Sequence, residues 1–566
     1  MMKKHVFFTL LSVCLLGFSG HADAQLSTNE KPISFGMPKN QLAELEPVIM
    51  PVLDMARITK EDEEDEEYDM PPRFGYPHKV NYDLTNSGTW KILPGGDKLW
   101  QLNIVCPGAL SVNFCYDKFW LPEGGKLFIF SKDKKHSIGA FTSKNNKGSR
   151  KELRGFATGL VYGSDVILEY YQPKEVTSDA VISIEYVVHG YRYINVSEKS
   201  LGSSGSCEVN VNCEEGQGWQ NDKLAVAMII VGGSRICTGS LINTTNLSRE
   251  PFFMTANHCI NSYGDAAGNS NLDYFTFYWN YEAPGCFNIA VEPTIYSTDG
   301  ATILANNSYS DFALLRLIEN PQDLSSYTPF YLGWDYSGNS GQPGVCIHHP
   351  RGDIKKISSV TSLPISTFYR GNTETSSGNH WKVTWKETIN GHGTTEKGSS
   401  GSPLLTATHK FIGQLHGGKS SCSKQNDPDW YGKFDLSWTG NHNDSICRRL
   451  NCWLDSLNTG VQAIEGLLVV PTTRIMTTDE QLYCNILITS SGRLTIQNNI
   501  ELMGNSRVIV ESGGQLIIDG GTLSNVELDL KPGSTLRIVN DGIIETRDNF
   551  TAPIGAIVEV EYGQIM

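Results

Sequence analysis

Short segments in which apolar and polar residues alternate recur along most of the chain, and they predict an all-β protein. Within residues 76–201 the alternation is clear at 98–105, 125–130 and 165–171, with Gly and Pro turns between them. Alternation with a period of two is typical of strands that bury one face. Residues 76–201 are therefore predicted to form a small β-rich domain.

Residues 202–470 carry β-branched and aromatic runs between clusters of Gly, Asn, Ser and Pro, which indicates antiparallel strands. One helix is predicted near the end of this section, at 447–454, because its apolar residues recur at helical spacing. A short terminal helix of this kind is suited to packing on a β-barrel.

Residues 471–566 have a repeating pattern of their own. Leu494, Leu516 and Leu536 each follow a nearby glycine and recur 22 and 20 residues apart. A period of about 20 residues predicts a β-solenoid, in which each coil covers the apolar face of the next. A small β-sandwich is the alternative, because three repeats are few.

Residues 1–24 have the layout of a secretory signal. Two lysines precede an apolar stretch at 6–18, and small residues lead up to Ala24, after which cleavage is predicted. The mature protein is therefore expected to be secreted, outside the cell or at its surface. A lipid anchor on Cys14 is the weaker alternative, since the small residue that usually precedes a lipidated cysteine is absent.

Residues 25–75 are polar and acidic, and they are predicted to be an unstructured lead-in. They contain seven consecutive acidic residues at 61–67, followed by Pro71 and Pro72. A run of like charges most often forms a solvated linker, and prolines interrupt regular structure.

Charge and cysteine content narrow the possible functions. The formal net charge of −15 argues against a nucleic-acid partner, because a phosphate backbone attracts basic surfaces. No segment after the signal has the roughly 18 to 20 uninterrupted apolar residues of a membrane span. Of the 13 cysteines, all except Cys14 follow the predicted signal, and an even number favours disulfides in an exported chain.

Neither a metal nor an organic cofactor is expected. The cysteines form no C-x-x-C pair, and the chain has no H-E-x-x-H motif, so a zinc site is not predicted. His348 and His349 are adjacent, but they lack thiols or carboxylates at ligand spacing, which favours a structural role.

The strongest chemical signal is the segment 397–403, with the sequence Lys-Gly-Ser-Ser-Gly-Ser-Pro. Glycines let the backbone turn so that the N–H groups of Gly398 and Ser400 can point at one oxygen, which stabilises the oxyanion of acyl transfer. Ser400 is therefore a candidate nucleophile. A Gly/Ser cluster by itself is more often only a loop, so companions are needed.

Two companions stand upstream. His258 ends an apolar strand beside Cys259, where a disulfide would fix its loop and suit it to act as a general base. Asp311 stands at the mouth of an apolar strand, where a carboxylate needs a donor such as a histidine N–H. The order His258, Asp311, Ser400 matches one of the known orders of a Ser-His-Asp triad.

These motifs resemble those of chymotrypsin-like serine peptidases, and the flanking sequence over about 202–467 resembles bacterial lysyl endopeptidases. The matching segments are Gly205-Ser-Cys207, Cys237-Thr-Gly-Ser-Leu241, Ile347-His-His-Pro350, Gly413-Gln-Leu-His-Gly-Gly418, Ser420-Ser-Cys422 and Trp453-Leu-Asp455. The resemblance implies a chymotrypsin-like double β-barrel with His258, Asp311 and Ser400 as its triad.

The same resemblance implies three disulfides. The pairs are Cys207–Cys422, Cys213–Cys286 and Cys237–Cys259. Cys106 and Cys115 lie close together in the chain and are expected to bridge each other. Four cysteines are left without an assigned pair: Cys346, Cys447, Cys452 and Cys484.

The specificity of the family resides in an acidic pocket. In trypsin-like enzymes the acid lies six residues before the nucleophile, where this chain has Thr394. The resemblance instead selects Asp429, which would pair with a lysine or arginine at P1. His416 matches a histidine that a tryptophan stacks upon in the family, and here the tryptophan's place falls near Tyr369. Lysine and arginine therefore both remain possible at P1.

The expected substrates are proteins or peptides with Lys or Arg at P1, hydrolysed by an endopeptidase that is made as a zymogen. Maturation is predicted near Lys199 to Gly202, and the domain at 76–201 would be a folding aid or an inhibitor. Two alternatives are a binding protein that uses an inactive peptidase fold and a surface adhesin. In the second, the region 471–566 attaches the protein to a cell surface or a polymer.

Overall fold

A computed structural model describes residues 30–38, 42, 44–194, 203–260, 272–288, 296–324, 327–440 and 448–566. The predicted signal, Cys14, Cys447 and the predicted maturation segment 199–202 lie outside the described residues. Within the described ranges, no helix is long and apolar enough to cross a membrane.

The N-terminal domain consists of two sheets that enclose one core. Its strands are β1 (Pro47–Ile49), β2 (Gly75–Asp83), β3 (Thr89–Ile92), β4 (Lys98–Val105), β5 (Ser111–Trp120), β6 (Lys126–Ser131), β7 (Ser137–Phe141), β8 (Arg154–Ala157), β9 (Val161–Tyr162), β10 (Asp165–Gln172) and β11 (Val181–Gly190). One sheet has the order β1-β4-β10-β6-β7, with β3 on β4, and the other has the order β2-β11-β5-β8, with β9 on β5. Buried side chains such as Trp100 from the first sheet and Phe114 from the second pack together between them.

The prediction that residues 25–75 are unstructured is wrong. Residues 47–49 form β1, which pairs in parallel with β4, and the acidic run lies in helix α1 (Met55–Glu67). Asp54 caps the helix by accepting a hydrogen bond from the Arg57 N–H at 3.2 Å. Arg73 pairs with Asp62 at 2.9 Å. This ion pair neutralises part of the negative charge of residues 61–67, on which the prediction of a solvated linker rested.

The predicted Cys106–Cys115 bridge is also wrong, because both residues are free, buried thiols. Cys106 belongs to the core between the two sheets. Cys115 points to the other side of β5 and packs against Tyr274 of the following domain. The two thiols therefore lie in separate apolar clusters.

The middle domain contains two sheets that are antiparallel except where β21 pairs with β27, in keeping with a chymotrypsin-like double β-barrel, and the predicted all-β class is confirmed. The strands are β12 (Val209–Asn210), β13 (Val226–Val231), β14 (Arg235–Leu241), β15 (Phe252–Ala256), β16 (Thr276–Trp279), β17 (Tyr296–Asp299), β18 (Ala301–Asn307), β19 (Phe312–Leu317), β20 (Phe330–Tyr331), β21 (Gly333–Asp335), β22 (Pro343–His348), β23 (Lys356–Ser359), β24 (Ile365–Thr367), β25 (His380–Val383), β26 (Pro403–Thr406), β27 (Lys410–Gly418), β28 (Asp429–Lys433) and β29 (Ala463–Ile464). The first sheet has the order β17-β16-β13-β14-β15-β19-β18. The second has the order β12-β23-β22-β26-β27-β28-β25-β24, with β21 alongside β27.

Helices are short in this domain. The α-helices are α2 (Asn257–Ile260), α3 (Phe434–Thr439) and α4 (Asn451–Leu454), and 3-10 turns occupy Glu214–Trp219, Asp222–Ala225, Leu272–Tyr274, Pro321–Asp323 and Pro350–Gly352. The helix predicted at 447–454 is therefore confined to its last four residues among those described. Cys346, Cys452 and Cys484 are free thiols.

The C-terminal region is a β-solenoid, and the sandwich alternative is wrong. Its strands are β30 (Gly466–Val470), β31 (Thr473–Met476), β32 (Glu480–Leu482), β33 (Cys484–Ile488), β34 (Arg493–Ile496), β35 (Asn499–Leu502), β36 (Arg507–Val510), β37 (Gln515–Asp519), β38 (Thr522–Leu530), β39 (Thr535–Val539), β40 (Gly542–Thr546), β41 (Ile557–Val560) and β42 (Gly563–Ile565). Successive coils pair in parallel, and Leu494, Leu516 and Leu536 are direct partners in one ladder. The first coil strand, β30, pairs with β20, so the solenoid is built directly onto the middle domain.

Candidate active site

His258 is held by a strand, a helical turn and a disulfide. The buried strand β15 delivers the chain to α2, which contains both His258 and Cys259. Cys259 is bonded to Cys237 on β14, one of the three disulfides in the structure. All three correspond to the pairs that the resemblance implied. The histidine therefore sits on a segment that is cross-linked to the neighbouring strand.

Asp311 binds His258 through both of its carboxylate oxygens. The Asp311 Oδ2 atom lies 2.8 Å from His258 Nδ1, and Oδ1 accepts a hydrogen bond from the His258 backbone N–H at 3.0 Å. Burial by itself raises the pKa of Asp311, but the neighbouring His416 and His258 outweigh it and lower the pKa overall. The carboxylate is thus kept charged and fixes the ring of His258.

Ser400 lies on a loop anchored between the two sheets. Its carbonyl accepts a hydrogen bond from the Thr238 N–H at 2.8 Å, and the next residue, Gly401, donates to the Leu415 carbonyl at 2.8 Å. The Ser400 carbonyl also lies 3.8 Å from Cys259 Sγ, beside the catalytic candidate His258. Among the described residues, His258 Nε2 is buried without a hydrogen-bond partner. This is the nitrogen that would accept the proton of a serine hydroxyl.

Gly398, the candidate oxyanion donor, has a backbone conformation that favours glycine. Its φ of +96° is one that glycine adopts without steric cost. The preceding carbonyl, that of Lys397, accepts a hydrogen bond from the Arg351 N–H at 2.6 Å. Because C=O and N–H point in opposite directions across a trans peptide, the Gly398 N–H points away from Arg351. The hydrogen bond between Arg351 and the Lys397 carbonyl therefore does not engage the Gly398 N–H.

A cleft of about 800 Å³ brings Ser400 together with Asp429. Asp429 is fully buried at the start of β28, and its Oδ2 accepts hydrogen bonds from Trp385 Nε1 and Thr395 Oγ1, both at 2.7 Å. Ser420 donates its N–H to Oδ1 at 3.1 Å. Burial raises the pKa of Asp429, although these hydrogen bonds oppose the rise. The carboxylate is thus rigid and poorly solvated, which suits it to bind a cation.

Gly418 makes room for this carboxylate. A Cβ atom at residue 418 would lie 1.6 Å from Asp429 Oδ1. Only glycine at this position therefore allows the Asp429 carboxylate to lie where it does. Neither Gly418 nor the supporting donors Trp385 and Thr395 were identified as site residues from the sequence.

Tyr369 stacks on His416, as the tryptophan of the resembling family stacks on the matching histidine. Their ring centroids are 3.7 Å apart and the planes differ by 3°. His416 Nε2 lies 3.7 Å from Asp311 Oδ2, and its Nδ1 lies 2.9 Å from Nε2 of His380. His380 was not identified from the sequence because no sequence motif marks it. Its contact with His416 arises only because β25 pairs with β28, which in turn pairs with β27.

The possible metal ligands in the described part of the chain are engaged elsewhere. Of the three groups with suitable spacing, two include disulfide sulfurs and the third is His258 with Asp311 and His416. His348 contacts Ser399 Oγ at 2.7 Å through Nδ1 and is fully buried. This contact supports the structural role expected for His348.

A segment of the N-terminal domain crosses the cleft. Asp69 accepts a hydrogen bond from the Tyr369 hydroxyl at 2.9 Å, and Pro72 accepts one from the Ile236 N–H at 3.1 Å. Met70, between these two contacts, lines the cleft together with Ser400. This occupation was not predicted, because residues 25–75 were interpreted as a linker.

Comparisons with known proteins agree with the motifs. Residues 201–432 match the family model described as lysyl endopeptidase, C-terminal domain. Lysyl endopeptidase from Pseudomonas aeruginosa is 34% identical over 313 residues, which are 50% of this chain and 62% of that protein. The chain therefore spans about three fifths of the length of this relative. The predicted similarity of the middle domain to lysyl endopeptidases is confirmed.

Two solved proteases also match at low similarity. The HtrA-type protease AlgW with a tripeptide is 15% identical, with a TM-score of 0.26, and the match covers 39% of this chain and 60% of that one. The thermostable serine protease AL20 from an extremophilic microorganism is 13% identical, with a TM-score of 0.24, and the match covers 38% of this chain and 92% of that one.

Proposed function

We propose that the middle domain is a serine endopeptidase with His258, Asp311 and Ser400 as its triad. Ser400 Oγ attacks the scissile carbonyl, and His258 Nε2 takes its proton and returns it to the leaving amine. Asp311 holds the imidazole, and the N–H groups of Gly398 and Ser400 stabilise the oxyanion. The observation that carries the proposal is the Asp311–His258 pair, which leaves His258 Nε2 without a partner beside the loop of Ser400.

The proposed P1 residue is lysine or arginine. Asp429 is the support, because it is a fully buried carboxylate that lines one cleft with Ser400, and Gly418 leaves room for its Oδ1. A bound cation would relieve the cost of burying this charge, whereas an apolar P1 side chain would leave the charge unpaired. His416 lines the same cleft, and Tyr369 stacks on it from outside the lining.

The direct test uses fluorogenic peptides that differ only at P1, with Lys, Arg, Leu or Glu. Processed enzyme is expected to cleave the Lys and Arg peptides, and Ser400→Ala is expected to abolish cleavage. The neighbouring Ser402→Ala serves as a matched control, since Ser402 lies in the same loop and its hydroxyl contacts Cys346 Sγ at 3.2 Å. Activity that survives Ser400→Ala would exclude the proposed nucleophile.

We also propose that the chain is a secreted zymogen that matures near Lys199 to Gly202. Its disulfides support an oxidising destination. The Asp69–Pro72 segment lies between Tyr369 and Ile236, on the path that a substrate would follow past Ser400. A chain with a blocked maturation segment is expected to be inactive. Full activity of that intact chain would show that the N-terminal domain does not inhibit.

The solenoid is proposed to attach the protein to a cell surface or a polymer. Its ladders present exposed side chains at fixed spacing, such as Arg493 and Gln515 on neighbouring coils. Deleting the region would uncover the apolar core that it shares with β20 and β30. A double variant with the charge reversed at Arg493 and with Gln515→Glu tests attachment without exposing that apolar core. If the variant protein is retained on cells as well as the unaltered protein, the result would count against the proposal.

A further inference from the structure

Three cations of the middle domain hold the N-terminal segment over the cleft. Arg370 pairs with Asp69 at 2.7 Å, and Arg235 pairs with Asp65 at 2.7 Å. The third cation, Lys397, donates to the backbone carbonyl at position 66, at the C-terminal end of α1, at 3.4 Å. That helix end carries partial negative charge. Each cation therefore meets a negative group of the segment.

These cations meet the segment at different points. Arg370 follows Tyr369, which stacks on the cleft residue His416 and binds Asp69. Arg235 precedes the cleft residue Ile236, whose N–H binds the Pro72 carbonyl. Lys397 lies three residues before Ser400 and lines the cleft itself. A positive group thus stands beside each of the contacts at residues 69 and 72, and a third stands near the nucleophile.

The bound segment has acids but no cation for the buried carboxylate. Residues 65–72 read Asp-Glu-Glu-Tyr-Asp-Met-Pro-Pro and contain neither Lys nor Arg. Arg73, which follows and also lines the cleft, is paired with Glu61 and Asp62 of α1. The bonds before Pro71 and Pro72 are tertiary amides, which lack the N–H of an ordinary peptide. The segment therefore makes its polar contacts to the cleft without placing a lysine or arginine at Asp429. Acidic groups account for two of the three cation contacts above, those with Arg370 and Arg235.

We propose that these cations also select substrates, so that the processed enzyme prefers a basic P1 residue with Asp or Glu on both sides. The inference rests on the proposed peptidase function. Asp65, the acid that Arg235 binds, belongs to the last turn of α1 and precedes Asp69, so the direction is taken from the stretch that crosses the cleft after the helix. That stretch runs from Asp69 at Arg370 to Pro72 beside Arg235, and a substrate in the same direction places its N-terminal side at Arg370. Arg370 then recognises an acid before the scissile bond, and Arg235 with Lys397 recognises an acid after it.

The test uses internally quenched peptides with Lys at P1 and either Ala or Asp at each of P4 to P2 and P1′ to P3′. Each favourable Asp is expected to raise kcat/KM roughly two- to fivefold over Ala. The gain is expected to shrink in about 0.5 M salt, because the screening length falls. Arg370→Gln is expected to remove the gain on the N-terminal side alone, and Arg235→Gln the gain on the C-terminal side alone.

Arg316→Gln is the matched control. Arg316 is exposed to a similar degree as Arg370, 53% against 47%, and is likewise paired with a carboxylate, that of Glu250. It is expected to keep both Asp/Ala ratios. Equal rates on the Ala and Asp peptides would refute the proposed preference for acidic neighbours. Cleavage of the all-Ala peptide would still show that the enzyme is an active peptidase. If the all-Ala peptide is not cut by processed enzyme, the proposed function itself fails.

Discussion

The replacement of Asp429 by Asn tests the specificity pocket most directly. The two side chains have nearly the same shape, so the change removes a charge with little change in volume. Asp429 Oδ2 accepts from the Trp385 indole N–H, and Oδ1 accepts from the Ser420 backbone N–H. Both are fixed donors, so in either orientation the new amide NH₂ faces one of them.

Two costs follow from this geometry. One unmatched buried donor pair is expected to lower the free energy of unfolding by about 1–3 kcal/mol. A lysine ammonium bound there would lose the one buried carboxylate of the described middle-domain lining that has no cation partner, since Glu396, which also lines the cleft, pairs with Arg351 at 2.7 Å. Removing one partner of a buried pair typically costs about 3–5 kcal/mol, which corresponds to roughly a 10²- to 5 × 10³-fold loss of kcat/KM.

The assay compares a peptide with lysine at P1 with the same peptide carrying norleucine, which has a similar length and no charge. Asp429→Asn is expected to collapse the Lys/norleucine ratio of kcat/KM, whereas a general folding defect lowers both rates together. Asp427→Asn, two residues earlier in the turn that leads into β28, is the matched control. A Lys/norleucine ratio that Asp429→Asn leaves unchanged would refute the assignment of Asp429 to P1 recognition.

Three further predictions concern the position of Asp429, protonation and the solenoid. Gly418→Ala places a Cβ 1.6 Å from Asp429 Oδ1 and must displace this carboxylate, so kcat/KM for Lys peptides is expected to fall roughly ten- to hundredfold. An unaltered value would mean that P1 binding does not depend on the position of Asp429. Burial raises the pKa of Glu208 to about 8, so the folded protein holds a proton that the unfolded chain releases near pH 4.5. The contribution of Glu208 to the free energy of unfolding therefore falls as pH rises from about 4.5 to about 8. Glu208→Gln is expected to flatten the dependence of the melting temperature on pH over that range. A melting profile that Glu208→Gln leaves unchanged would mean that another group causes the dependence. Leu516→Ala, at a fully buried ladder position, is expected to cost about 2–5 kcal/mol in denaturant unfolding, and a cost near zero would mean that the coils do not share a tight core.

The sequence by itself determined the features that depend on local order. The alternation at 98–105 coincides with β4, because one face of a strand must be buried whatever its partner is. The spacing of Leu494, Leu516 and Leu536 favoured the solenoid over a sandwich, and the structure confirms that a coil of that length returns each leucine to the same ladder. The motifs around residues 258, 311 and 400 carried the family resemblance, and their catalytic roles remain predictions.

Only the tertiary structure decided what the charges do. The acidic run is helical because its partners come from elsewhere: Arg235 reaches Asp65 across 170 residues of sequence. Tyr369 meets Asp69 across 300 residues, and His380 on β25 meets His416 on β27 across the intervening strand β28 of one sheet. Local patterns report burial and periodicity, whereas the state of a charged or polar group depends on which opposite groups the fold brings within hydrogen-bond distance. For that reason the solvated linker expected from sequence is, in the folded chain, the segment that lies across the cleft.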